Sequence, residues 1–188
     1  YGPSPKVIKL IQSKKFKFNL YNSPAIYKPV LDSVLAKKLG ISKKQITFFR
    51  NEHDAIRKII DLFVTNYGEV IVIYPSWTYV FLVCSEKKII VKYTILKEIS
   101  KKELQPNLYY IFRFINPKTK LIYLSSPNTV TGQSMKTKEF EEFLKKIPNN
   151  IAILIDQRFH EFSYNTKALN PLKYLDKNVI SLRSFNNF

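Results

Sequence analysis

Cysteine and glycine are both scarce. The single cysteine, Cys84, has no partner for an internal disulfide, so a disulfide-stapled secreted scaffold is excluded. Four glycines in 188 residues, with 45% hydrophobic and 24% charged residues, exclude collagen-like, low-complexity and disordered chains and leave ample apolar material for a core. No apolar run approaches the roughly 18 residues that a membrane-spanning helix needs. Histidine occurs twice, at His53 and His160, too far apart in sequence for metal-ligand spacing, and both read as structural. There is no initiator methionine and no basic-then-apolar leader at Tyr1-Gly-Pro-Ser-Pro5, and the chain stops in Ser184-Phe-Asn-Asn-Phe188. Both ends read as cut, as in a fragment.

Positive charge is what the chain has in excess. Lys plus Arg is 31 against 14 Asp plus Glu, a net +17, which raises nucleic acid or an acidic surface as a partner. Only five of the 31 are arginine (Arg50, Arg57, Arg113, Arg158, Arg183), the residue suited to bidentate phosphate and base contacts. The lysines fall in scattered doublets such as Lys14-Lys15 and Lys87-Lys88. With abundant Ile, Asn, Tyr and Phe, the excess reads as the usage of an AT-rich genome before it reads as a polyanion site.

Hydrophobic periodicity alternates between two kinds. Ile56, Ile59, Ile60, Phe63 and Tyr67 mark one face of a helix over 53–67. Val70–Ile73, Thr119–Ser125, Ile151–Ile155 and Asn178–Leu182 are short apolar runs of the kind buried on both faces in a parallel sheet. Ser4-Pro5 starts a helix, residues 28–39 form another that Gly40 ends, and Thr137 caps a third through Lys146, with Glu141/Lys145 and Glu142/Lys146 as i,i+4 pairs. Cys84 falls in an apolar helical stretch and is expected buried and inert. The pattern predicts an α/β domain with a mostly parallel sheet. Ligands of such sheets sit beyond the carboxyl ends of the strands, which directs attention to 75–79, 126–132, 156–162 and 183–188.

Those segments, in that order, resemble the large domain of class I/II aminotransferases, the histidinol-phosphate aminotransferase branch in particular. Tyr1-Gly-Pro-Ser-Pro5 resembles the family's opening. Tyr21-Asn-Ser-Pro24, followed by Leu31, Leu39, Gly40 and Ile41, resembles its tyrosine turn and first large helix. Arg50-Asn-Glu-His-Asp-Ala-Ile56 stands where the family has Gly-Asn-Gly-Ser-Asp-Glu. Pro75-Ser-Trp77 matches Pro-Thr-Tyr or Pro-Ser-Trp, and Pro127-Asn-Thr-Val-Thr-Gly132 matches Pro-Asn-Asn-Pro-Thr-Gly. Asp156-Gln-Arg-Phe-His-Glu-Phe162 matches Asp-Glu-Ala-Tyr-x-Glu-Phe, and Leu182-Arg-Ser-Phe-Asn-Asn-Phe188 matches Leu-Arg-Thr-Phe-Ser-Lys-Ala-Phe.

The resemblance implies a three-layer α/β/α large domain of fold type I over residues 1–188, cut at both ends and without the C-terminal small domain. It implies pyridoxal 5'-phosphate as cofactor, an amino donor and a 2-oxo acid as substrates, a homodimer, and a cytoplasmic location. By position it places Tyr21, Asn51, Glu52, His53, Trp77, Thr129, Asp156, Phe159 and Asn186 around the cofactor. Asp156 would keep the ring nitrogen protonated, since a nearby negative charge raises that nitrogen's pKa, and Trp77 would cover the ring face.

Other positions depart from what the cofactor needs. Arg50 and Glu52 replace the glycines that expose the phosphate-binding backbone, and Glu52 adds negative charge there. Asn186 replaces a phosphate-binding serine. Thr129 replaces the asparagine that reaches the ring hydroxyl, and Phe159 lacks the hydroxyl of its tyrosine partner. Asn187 occupies the place of the imine-forming lysine, and an amide nitrogen is neither nucleophile nor base. The arginine that grips the substrate carboxylate would lie beyond residue 188. No catalytic residue and no metal ligand is therefore expected. The reading is an aminotransferase-derived domain without its catalytic lysine. Its rivals are an active fragment completed by missing segments or a partner chain, and a basic binding module for nucleic acid or protein.

Overall fold

The short apolar runs become the middle of one sheet because each can bury both of its faces. The computed structural model describes residues 3–13, 24–65, 67–100, 103–163 and 168–185. Its strands are β1 (Glu69–Tyr74), β2 (Ile90–Ser100), β3 (Glu103–Pro106), β4 (Thr119–Ser125), β5 (Ala152–Asp156) and β6 (Val179–Leu182), in the order β3-β2-β1-β4-β5-β6. All neighbours are parallel except β2 and β3. Strands β2 and β3 are additions to the sequence-based expectation. In β2 the apolar residues are broken by Lys92 and Lys97, and Tyr93 and Ile95 are exposed, so no continuous apolar run marks it.

The helices of this part are α3 (Glu52–Phe63), α4 (Tyr79–Glu86), α5 (Leu108–Ile111) and α6 (Thr137–Leu144), numbered after two N-terminal ones described below. Successive strand residues point to opposite faces. Val70, Val72, Leu121, Tyr123 and Leu154 pack with Ile56, Ile59 and Ile60 of α3 and Val80 and Val83 of α4. Ile71, Ile73, Ile122, Leu124, Ile153 and Ile155 pack on the other side with Leu108 and Ile111 of α5 and Phe140 and Phe143 of α6. The architecture is the expected three-layer α/β/α arrangement. Cys84 is fully buried on the α4 side, where burial pushes its thiol up to about 12.

Helix boundaries differ in places. Helix α3 ends at Phe63 rather than continuing to Tyr67, which has a positive φ of 62° that no helix accommodates. Helix α6 ends at Leu144, and its N-cap is Lys136 rather than Thr137. The backbone of Lys136 is held extended by a bridge to Ala168, which fixes the boundary one residue earlier. Glu141 accepts a hydrogen bond from Tyr174 Oη at 2.7 Å in place of an ion pair with Lys145.

The described residues fall into two compact units, one within residues 1–47 and the other within 48–187. The first holds α1 (Pro5–Gln12), started by Ser4-Pro5 as expected, and α2 (Pro24–Leu39). Helix α2 begins four residues before the expected Lys28. Pro24 takes the first-turn position where a missing N–H costs nothing, and Pro29 lies inside the helix. Gly40, at φ 68°, closes α2 as expected of a glycine C-cap.

Candidate functional site

Parallel pairing brings the strand ends level: Ser125 aligns with Asp156, and Asp156 with Leu182. The strand order reverses between β1 and β4, since β2 and β3 lie on one side of β1 and the chain then crosses over to β4 on the other; the crevice of such sheets lies at this switch point, beyond the carboxyl ends of β1 and β4. Asn128 ties the loop after β4 to the loop after β1, donating from Nδ2 to the carbonyl of Pro75 at 2.9 Å. The Asn128 side-chain oxygen accepts from the backbone N–H groups of Val130 and Thr131, and Gly132 completes this turn at φ 73°. A cavity of about 290 Å³ lies elsewhere, beside α5 and α6, and takes no residue from these loops.

Asp156 ends β5 fully buried. Tyr123, one strand over on β4, donates to its Oδ2 at 2.5 Å. Burial, then the Asp156 charge, hold the Tyr123 phenol well above its ordinary pKa, so it remains a donor. The remaining capacity of Asp156 goes to Arg158, two residues on. Nε lies 3.0 Å from each carboxylate oxygen, Nη2 lies 2.9 Å from Oδ2, and the Arg158 backbone N–H donates to Oδ1 at 3.0 Å. The Arg158 guanidinium carbon stands 3.5 Å from the centroid of the Trp77 ring, and Nη1 lies 3.5 Å from Oε1 of Glu52. Burial lowers the Arg158 pKa, and the Asp156 hydrogen bonds and charge more than offset this, so it lies above its ordinary value.

Trp77 thus does cover a flat cation, and the cation is an arginine. Its other neighbours are His53, at 4.9 Å between centroids, and Tyr79, which stacks on His53 at 3.8 Å. His53 therefore stands in an aromatic stack beside the crevice. Asn51 caps α3, its side chain accepting from Asp54 N–H at 2.8 Å. Glu52 and Asp54 both sit in the first turn, where carboxylates offset the positive end of the helix. Arg50 is turned outward to Asp54 at 3.1 Å. The Thr129 Oγ1 is buried with no hydrogen-bond partner among the described residues. Phe159 is at the surface, with Arg158 5.8 Å from its ring centroid. Tyr21, Asn186 and Asn187 lie outside the described residues.

Two further residues organise the strand ends. Gln157 accepts through Oε1 from Ser181 Oγ at 3.0 Å and from Arg183 Nε and Nη2 at 3.3 and 3.2 Å, tying β5 to β6. Its Nε2 donates to the carbonyl of Leu169 at 3.2 Å. His160 lies beside it, and burial, then Arg183, hold its imidazole below the ordinary value.

The model of the family described as "Aminotransferase class I and II" matches residues 1–185. The chain belongs to the class I and II aminotransferases. A histidinol-phosphate aminotransferase of Hydrogenovibrio crunogenus is 31% identical over 187 residues, covering 98% of this chain and 48% of that protein. The histidinol-phosphate aminotransferase of Sinorhizobium meliloti, solved with pyridoxal 5'-phosphate, superposes with a TM-score of 0.77 at 21% identity, over 98% of this chain and 49% of that one. Cystalysin from Treponema denticola, whose structure contains the same cofactor, gives 0.80 at 12% identity, over 98% and 49%. These likenesses show the fold of a fold-type-I large domain, and the chain spans about half the length of the curated relatives it matches.

Members of this family work with pyridoxal 5'-phosphate, and by the resemblance Trp77 and Asp156 are the residues that would meet its ring. The side chains present do not fit it. Asp156, the partner of the ring nitrogen by resemblance, has both oxygens engaged by Arg158 and Tyr123. The Trp77 face is covered at 3.5 Å. In the first turn of α3, where the family pattern has a glycine, Glu52 presents a carboxylate. Tyr123, Gln157 and Arg158 were not singled out by the sequence-based reading. A signal existed for Arg158: it stands at the alanine of the family's Asp-Glu-Ala-Tyr, while a new carboxylate, Glu52, stands at a glycine.

Proposed function

We propose that this chain is the large domain of a histidinol-phosphate-aminotransferase-like protein that does not itself transfer amino groups. The parent reaction moves an amino group between an amino compound and a 2-oxo acid. Its two indispensable steps, forming an imine with the cofactor aldehyde and carrying a proton at the substrate carbon, both fall to one lysine. The observation that carries the reading is Asn187 at that lysine's place in the sequence. The neighbouring Asn186 is also an amide, so a shift of one residue does not restore an amine. Thr129 and the hydroxyl-free Phe159, at the places of the family's ring-hydroxyl partners, support the same reading.

The test is borohydride reduction of the protein with pyridoxal phosphate, followed by peptide mapping. Scattered low labelling over the 26 lysines is expected. One lysine labelled stoichiometrically would sink the reading and favour an active chain completed by segments beyond these residues. Tyr21 matches the tyrosine that in the family dimer reaches the neighbouring subunit's phosphate, so self-association belongs to the same proposal, with a cytoplasmic setting. Sedimentation over a wide concentration range is expected to show dimer, and a compact monomer throughout would contradict it.

A further inference from the structure

Two residues bring charge and bulk to positions where the family pattern has neither, and they meet. Glu52, at a glycine of the phosphate segment, and Arg158, at the alanine after the ring-nitrogen aspartate, are 106 residues apart in sequence and form an ion pair at 3.5 Å. The Arg158 side chain is 4% exposed and that of Glu52 19%, so Glu52 meets a cation where its carboxylate leaves bulk water. Unrelated decay at two positions would not be expected to deliver opposite charges to the same point.

We propose that Arg158 is a built-in occupant of the cofactor-ring subsite, holding it closed and excluding pyridoxal-type phosphates. A guanidinium is planar, delocalised and positively charged, and it presents N–H donors in its plane and a flat face for stacking. Those are the properties by which a protonated pyridine ring would engage Asp156 on its edge and Trp77 on its face. Arg158 meets both partners, with three N–H contacts to the carboxylate and a stacking distance of 3.5 Å. The fully buried Asp156 thereby has its cation without any ligand. Glu52 serves twice. It anchors the outer edge of the guanidinium, and it adds a carboxylate in the first turn of α3, where a phosphate dianion would have to dock. The proposal concerns ring and phosphate recognition and is independent of residue 187.

The probe is pyridoxamine 5'-phosphate, which has ring and phosphate but no aldehyde, so it forms no imines with surface lysines. Trp77 is the only tryptophan, so its fluorescence reports directly on occupation of the ring subsite. The native chain is expected to show no saturable quenching and no rise in melting temperature at millimolar probe. R158A combined with E52G is expected to quench saturably, with affinity at least about tenfold tighter than any residual binding by the native chain. Because R158A leaves Asp156 buried without a cation, R158A combined with D156N is measured alongside it. That variant removes the charge together with its partner and opens the same space, and it too is expected to quench, at higher probe concentration. Saturable quenching in the native chain overturns the proposal. So does insensitivity of whichever variants circular dichroism shows to be folded.

Discussion

Replacing Arg158 with methionine removes three N–H contacts from a carboxylate with no exposed surface, together with a cation stacked 3.5 Å from the centroid of Trp77. Breaking a buried ion pair from one side costs about 3–5 kcal/mol, because the remaining charge stays desolvated and unpaired. The stacking loss overlaps this figure, being worth at most about 2 kcal/mol for a desolvated cation. Asp156→Asn strands Arg158 in the same way, with Glu52 as a lesser counter-charge, so about 2–4 kcal/mol is expected. The double replacement Asp156→Asn with Arg158→Met strands neither charge. The asparagine oxygen still accepts from Tyr123, and methionine refills the space, so the double variant is expected to lose only about 1–2 kcal/mol. The resulting coupling energy is at least about 3 kcal/mol. Equilibrium urea unfolding followed by Trp77 fluorescence measures it, since that residue lies within the unit formed by residues 48–187. Single-variant losses that add to the double-variant loss within about 0.5 kcal/mol would refute the pairing as an energetic unit.

Three other outcomes follow from the same structure. The Lys92 ammonium at 2.7 Å and the Asn116 amide at 2.7 Å hold the buried Glu69 carboxyl below its usual range, so its stabilisation is present above that range and is lost as pH falls through the depressed value; Glu69→Gln is expected to flatten the acid limb of a stability–pH curve. Burial, then the hydrogen bond to Glu141, push the Tyr174 phenol up to about 12, so its contribution is present below the ordinary tyrosine range and is lost as pH rises toward 12; Tyr174→Phe is expected to flatten the alkaline limb in urea titrations at high pH. Asn51→Ala removes the cap of α3 and is expected to cost about 1 kcal/mol in urea unfolding, while Asn51→Ser restores most of it.

The central sheet was legible because β1, β4 and β5 are buried along nearly their whole length and appear as short, mostly apolar runs, while the half-buried β6 was marked by Val179, Ile180 and Leu182. Helix α3 was legible from the spacing of Ile56, Ile59 and Ile60, all of which face the core. Its end was not, since Tyr67 continues the spacing in sequence while its backbone turns left-handed. Strand β2 carries a half-exposed pattern mixed with lysines, which resembles neither template. At the site, Asp156 and Trp77 were legible through the order of strand-end motifs. Arg158 was not, because its meaning rests on Glu52, and only the packing of α3 against the sheet brings a residue before β1 to a residue after β5.

The position of β1 in the sheet has a consequence for synthesis. It pairs with β2 on one edge and with β4 on the other, and the whole segment 75–118 separates it from β4 in the chain. A ribosome adding about 5–20 residues per second needs about 2–9 s to cross that segment. During that interval β1 and β2 can pair, and α3 and α4 can cover one face, while the second edge of β1 still presents unpaired backbone groups from Glu69 to Tyr74. An open edge of that length on an apolar strand is a template for another chain, until β4 emerges and seals it.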